Sequence, residues 1–165
     1  MKGAFSNSLI TCLALLVTAA FAQPQSNAKK QTAGPKIISH SGYSDCIELR
    51  NESTRVVLCP AAGGRVLEYS LNGKNSLYLD PKQDGWVYDP EKGEIDPWGG
   101  RFDIGPEKII PRHPDLWLGK WEGKITGVRS ARMISVEDKA TGVQLTRDLG
   151  GCRGVVDGDR AGLQA

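Results

Sequence analysis

The sequence predicts an all-β, antiparallel domain. Three observations carry that expectation. Glycine is abundant, 20 of 165 residues together with 9 prolines, against a usual glycine share of about 7%; this disfavours long helices and suits turns between short strands. Apolar and polar residues alternate over several short segments, the period of a half-buried strand. Turn-forming clusters, Asn72-Gly73 above all, separate those segments at the spacing of an antiparallel fold.

The first hairpin is the most specific of these signals. Residues 45–50 (DCIELR) and 55–59 (RVVLC) alternate around the turn-forming Asn51-Glu52-Ser53-Thr54. Setting Arg50 opposite Arg55 puts Cys46 opposite Cys59 and gathers Ile47, Leu49, Val56 and Leu58 on one face, as a half-buried hairpin requires. Cys46 and Cys59 are thus candidates for a cross-strand disulfide, with two small buried thiols as the alternative; a disulfide would leave Cys152 over. Residues 60–64 (PAAGG) break the pattern. A strand over 65–71 comes next, with Val66 and Glu68 expected on one side and Leu67 and Tyr69 on the other. Asn72-Gly73 turns it into a partner strand over 75–79.

Residues 80–99 have no period and are dense in Pro, Gly, Asp and Trp. A loop of that length is functional or mobile as a rule. Three further strands are expected over 124–131, 132–138 and 142–149, with a turn at 139–142. No segment shows a clear helical period, and there is no internal repeat. Residues 150–165 are glycine-rich, carry no aromatic residue and do not alternate, so a flexible tail outside the core is expected.

At the other end, Lys2 is the only charge before Lys29, residues 9–21 form an apolar run, and Ala20-Phe21-Ala22 precedes Gln23. That order reads as a signal peptide over 1–22 and a secreted or periplasmic protein. The run is shorter than the ~20 residues that span a bilayer, and no later stretch is apolar enough, so no membrane span is expected. Residues 23–36 are polar and read as a disordered leader. Residues 37–149 then form one β-domain. Lys and Arg number 21 against 19 Asp and Glu, a net charge of +2, which removes the electrostatic case for nucleic acid.

Binding chemistry concentrates between Trp98 and Trp121, which hold three of the four tryptophans. A sugar offers apolar C–H faces and a rim of hydroxyls; aromatic rings cover the former and charged or polar groups bond the latter. Trp98, Arg101, Asp103, Arg112, Trp117 and Trp121 are the candidate substrate-binding residues, although Trp117 and Trp121, four apart, would serve equally as packing residues. His113 is either a sugar hydrogen bonder or an exposed loop histidine, and Glu107, on the Gly105-Pro106 turn, is a base or a solvated charge. His40, at the edge of the leader, is set aside. The chain has no Cys-x-x-Cys, His-x-His or phosphate-loop pattern, and Asp80, Asp84, Asp89 and Asp96 lack the regular spacing of a calcium loop. No metal and no cofactor are expected.

Val56-Val57-Leu58-Cys59-Pro60, Gly63-Gly64-Arg65-Val66, the strand ending in Asn72-Gly73 and the second Gly99-Gly100-Arg101 resemble the start of the galactose mutarotase-like (aldose epimerase) superfamily, within it an uncharacterised group of secreted bacterial β-sandwich domains. The resemblance covers residues 37–149. It implies an antiparallel β-sandwich whose concave face binds a sugar, and a chain that runs on into further strands where the family's catalytic glutamate lies. Gly100-Arg101 stands where sugar-binding epimerases carry an Asn-Arg pair. The expected function is therefore an exported, carbohydrate-recognising β-sandwich without complete catalytic machinery. The alternatives are an active mutarotase or epimerase, with His113 as acid and Glu107 as base, and a truncated fragment or structural surface protein without a ligand. An incomplete sandwich would also leave an open sheet edge through which copies could pair.

Overall fold

The computed structural model describes residues 34–106, 108–152 and 155–164, over 151–164 the backbone alone. The proposed signal peptide, most of the leader and Glu107 lie outside the described residues. Among the described residues nine strands form two antiparallel sheets. The first contains β1 (Lys36–His40), β2 (Tyr43–Arg50), β3 (Thr54–Cys59), β4 (Arg65–Leu71) and β5 (Lys74–Asn75), in that order across the sheet. The second contains β6 (Glu122–Gly127), β7 (Ser130–Ile134), β8 (Gln144–Cys152) and β9 (Val155–Gln164), again in sequence order. The all-β expectation holds. Among the described residues the one α-helix, α1 (Pro114–Trp117), is a single turn, and no helix there is long and apolar enough to cross a membrane.

The β2–β3 hairpin has the register its alternation demands, with Ile47 opposite Leu58 and Arg50 opposite Arg55. Asn51 closes the turn by accepting from the backbone amides of Ser53 and Thr54 at 3.0 and 2.7 Å. One face of this sheet presents Ile47, Leu49, Val56, Leu58 and Val66 to Ala131, Met133, Leu145 and Leu149 of the second sheet, with Leu116 and Trp121 from the connecting segment completing the core. That face-to-face burial makes the fold a sandwich. The opposite face carries a smaller apolar cluster of Tyr43, Cys46, Val57, Cys59, Ala62 and Leu67.

Five departures from the expected elements stand out, the first being β1, which begins on Lys36 of the expected leader and adds a strand before the first hairpin. In β4 the register shifts between Val57 and Leu58 of its partner. This bulge sends Val66 to the inter-sheet core and Leu67 to the outer cluster, while Glu68 pairs with Arg55 on that outer side; a bulge inserts one residue and breaks strict alternation. Asn72 and Gly73 make the expected tight turn, with φ of 50° and 79°, but β5 stops after two residues. There the Asn75 side chain replaces the ladder: its oxygen accepts from Tyr69 N at 2.9 Å and Leu77 N at 3.1 Å, and its nitrogen donates to Leu67 O at 3.1 Å. The first two strands of the second sheet are divided at residues 128–129, not between Ala131 and Arg132. Finally, the backbone of 155–164 pairs with β8 as a ninth strand, an element the non-alternating tail does not announce.

Candidate functional site

Two Gly-Gly-Arg tripeptides organise one end of the sandwich. Gly63 and Gly64 have φ of 71° and 63°, and Gly99 and Gly100 have φ of 72° and 64°, a region closed to most side chains. Space forbids side chains as well. A Cβ on Gly64 would lie 2.3 Å from the Trp121 ring, and one on Gly100 would lie 1.7 Å from Val66 O. Gly100 O accepts from Val66 N at 3.1 Å, which lays the second tripeptide against the start of β4.

Two buried arginines hold this junction. Arg65 donates to Gly99 O at 3.1 Å and to Trp98 O. Its burial disfavours the charged form and lowers its pKa. Arg147, on the core-facing side of β8 between Leu145 and Leu149, donates to Gly64 O at 3.3 Å and Gly100 O at 3.0 Å and lies over the Phe102 ring, 5.3 Å from its centroid. The backbone of 98–100 is thereby gripped by donors from both sheets.

The segment leaving this junction carries the polar cluster. Arg101 meets Asp103 Oδ2 at 2.6 Å and Asp96 Oδ1 at 3.5 Å, and its guanidinium carbon stands 4.0 Å from the Trp117 ring centroid. Asp103 Oδ1 accepts from Ile104 N at 2.8 Å and lies 2.8 Å from His113 Nε2. His113 Nδ1 lies 2.6 Å from Pro111 O. Both His113 nitrogens therefore face oxygen atoms of the protein. The result is a connected chain of side chains, Arg101 to Asp103 to His113, in which the inner end is buried and the outer end half-buried. His113 is 4% exposed, so it is not the exposed loop histidine. Its ring is occupied within the protein and positions Asp103, which in turn orients Arg101.

Beside this chain an aromatic pair faces solvent. Trp98 is 59% and Tyr78 67% exposed, with ring centroids 6.4 Å apart in an edge-to-face arrangement. The backbone beneath Trp98 is held by Arg65, and Asp96, two residues before it, reaches Arg101. Exposed rings over an anchored backbone, next to charged groups already oriented, offer both an apolar surface and hydrogen-bonding edges.

Of the residues singled out in the sequence, Arg101, Asp103, His113 and Trp117 come together, with Trp98 on the adjoining loop. Trp121 does not join them. It is 1% exposed and donates its indole N–H to Leu116 O at 2.9 Å, a core role. Arg112 pairs with Glu94 at 2.7 Å. Cys46 and Cys59 are buried free thiols. Cys59 hydrogen-bonds to Cys46 and lowers its pKa, while that bond and burial raise the Cys59 thiol. His40, set aside in the sequence, lies in β1 with Nε2 3.8 Å from Glu68 Oε2. Sequence reasoning missed Tyr78, Arg65 and Arg147 as site residues and weighed Asp96 only as a calcium ligand. Arg147 had a signal, since a charge at a core-facing position of an alternating strand must find a partner. Among the described residues no group of three or more His, Cys, Asp or Glu side chains could hold a metal ion. No family model matches the chain, and no curated protein or solved structure matches it either.

Proposed function

We propose that this chain is an exported, carbohydrate-recognising β-sandwich without complete catalytic machinery, secreted or periplasmic, and able to self-associate through an open sheet edge. The observation that carries the saccharide reading is the exposed Trp98–Tyr78 pair beside the Asp96–Arg101–Asp103–His113 chain. A pyranose ring laid on Trp98 would set its hydroxyl rim toward Arg101 and Asp96. The resemblance to mutarotase-like sandwiches in residues 37–149 points the same way. The internal engagement of both His113 nitrogens supports recognition over proton transfer.

The test is a thermal melt of the chain with a panel of mono- and oligosaccharides, because a ligand bound only by the native state raises the melting temperature. At least one saccharide is expected to raise it, and Trp98→Ala is expected to abolish the rise. A melt indifferent to every sugar, or a rise that survives Trp98→Ala, would reject this site. Polarimetry separates the enzymatic alternative: the expected α/β equilibration rate of a reducing sugar is that of buffer alone.

A further inference from the structure

Among the described residues β6 is an edge of the second sheet, bonded to β7 on one side only, and all six of its residues are exposed. Gly123 and Ile125 lie on its core-facing side. A Cβ on Gly123 would fall 3.3 Å from Ile47 Cδ1 across the sandwich, yet Ile125 remains 42% exposed. Glu122 and Lys124 lie on the outer side, where Lys124 sits opposite Arg132. Like charges directly opposite one another destabilise a strand pair. The carboxylate in reach of Arg132, that of Asp148, is taken by it in a two-point contact at 2.6 and 2.8 Å. Among the described residues neither Glu122 nor Lys124 has an ion-pair partner.

We infer that β6 pairs antiparallel with β6 of a second copy of this chain, about a two-fold axis through Gly123. That register sets Glu122 opposite the second copy's Lys124 and Lys124 opposite the second copy's Glu122. Both unsatisfied charges then find an opposite charge, and the cation next to Arg132 gains an anion. The two four-stranded sheets become one continuous sheet, and the unpaired backbone groups of both edges are satisfied together. Shifting the register by one pairing step either way sets a residue against its own like charge, Lys124 on Lys124 or Glu122 on Glu122. The two edges of the first sheet fit less well. β1 has a register irregularity between Ile38 and His40, a feature that turns an edge from pairing, and β5 has only two residues. The irregularity in β6 falls after Ile125, beyond the three residues that set the register.

The inference rests on the self-association proposed above and is independent of the saccharide site. Sedimentation of the full chain over a range of concentrations is expected to show a monomer–dimer equilibrium. Lys124→Glu is expected to weaken the dimer at least about tenfold, and the charge swap Glu122→Lys with Lys124→Glu to restore it. A dimer indifferent to Lys124→Glu, or unrescued by the swap, would overturn the β6 interface while leaving self-association standing. A monomer at every concentration would overturn both. Hydrogen exchange supplies a second reading, since residues 122–125 should gain protection as concentration rises. Because both side chains are exposed, each variant should melt as the monomeric parent does and keep any saccharide-induced rise.

Discussion

The two Gly-Gly-Arg tripeptides share residues and nearly the same glycine backbone angles, yet their arginines do different things. Arg65 is 4% exposed and spends its donors on backbone carbonyls. Arg101 is half-buried, stacks on Trp117 and meets two carboxylates. The difference comes from the element that each glycine pair enters. Gly64 leads into β4, so Arg65 stands on a sheet face beside Tyr43 and Cys59, which contribute to its surroundings. Gly100 leads into a loop whose Asp103 is held by His113. One local motif thus builds scaffold in a sheet and a candidate binding surface in a loop, because the neighbours decide which acceptors the guanidinium finds.

The glycines should be the most sensitive point of the comparison. Gly100→Ala would drive a methyl into Val66 O and strain a positive φ, and is expected to cost about 3 kcal/mol or prevent folding, as read by urea denaturation. Gly73→Ala is the control: it shares a positive φ but would meet nothing within 4 Å, so about 1 kcal/mol is expected. Equal costs would show that backbone angle alone, without the close approach, explains both.

The arginines come next. Arg65→Ala leaves the carbonyls of Trp98 and Gly99 without that donor and is expected to destabilise by about 2–3 kcal/mol. Arg101→Ala should cost less than about 1 kcal/mol, since its ion pairs are partly solvated, but should weaken saccharide binding measured by titration. If Arg101→Ala destabilised as much as Arg65→Ala, the division into scaffold and surface would fail.

Tyr43 sharpens the scaffold side. Its hydroxyl donates to Trp86 O at 2.7 Å and contacts Gln83 O at 3.2 Å, pinning the 80–99 loop over the outer face. Burial pushes its pKa up from 10.0 to about 12, with the Arg65 charge opposing. The unfolded phenol ionises near 10, so the folded state favours the protonated form. That contribution is full below about pH 10 and is lost as pH rises through about 12. Stability measured from pH 9 to 12 should fall in that window for the parent and lack that component in Tyr43→Phe, which starts lower by about 1 kcal/mol for the lost hydrogen bond. The smallest effect is expected at Arg112, whose pair with Glu94 is at the surface. Arg112→Ala should leave the melting temperature and saccharide titration unchanged.

How much could be read beforehand varied with the range of the interaction. The β2–β3 register was legible because its period and its turn lie within one stretch of chain. The faces of Leu67 and Glu68 were not, because the β4 bulge is defined against β3. The candidate site was legible as a composition, a dense run of Trp, Arg, Asp and His. Its geometry was not, since Asp103 meets His113 ten positions along an aperiodic segment. Tyr78 was passed over because it sits in an expected strand that Asn75 ends early.

The sequence by itself determined the all-β character, the first hairpin, the Asn72-Gly73 turn and the region where Trp, Arg, Asp and His side chains gather. These depend on side-chain period and on turn residues, which act over a few positions. Only the tertiary structure decided that Trp121 belongs to the core and Trp98 to the surface, that His113 braces Asp103, and that two buried arginines clamp the second Gly-Gly-Arg. Those outcomes depend on which distant backbone carbonyls and carboxylates arrive within bonding distance, and no local pattern encodes that arrival.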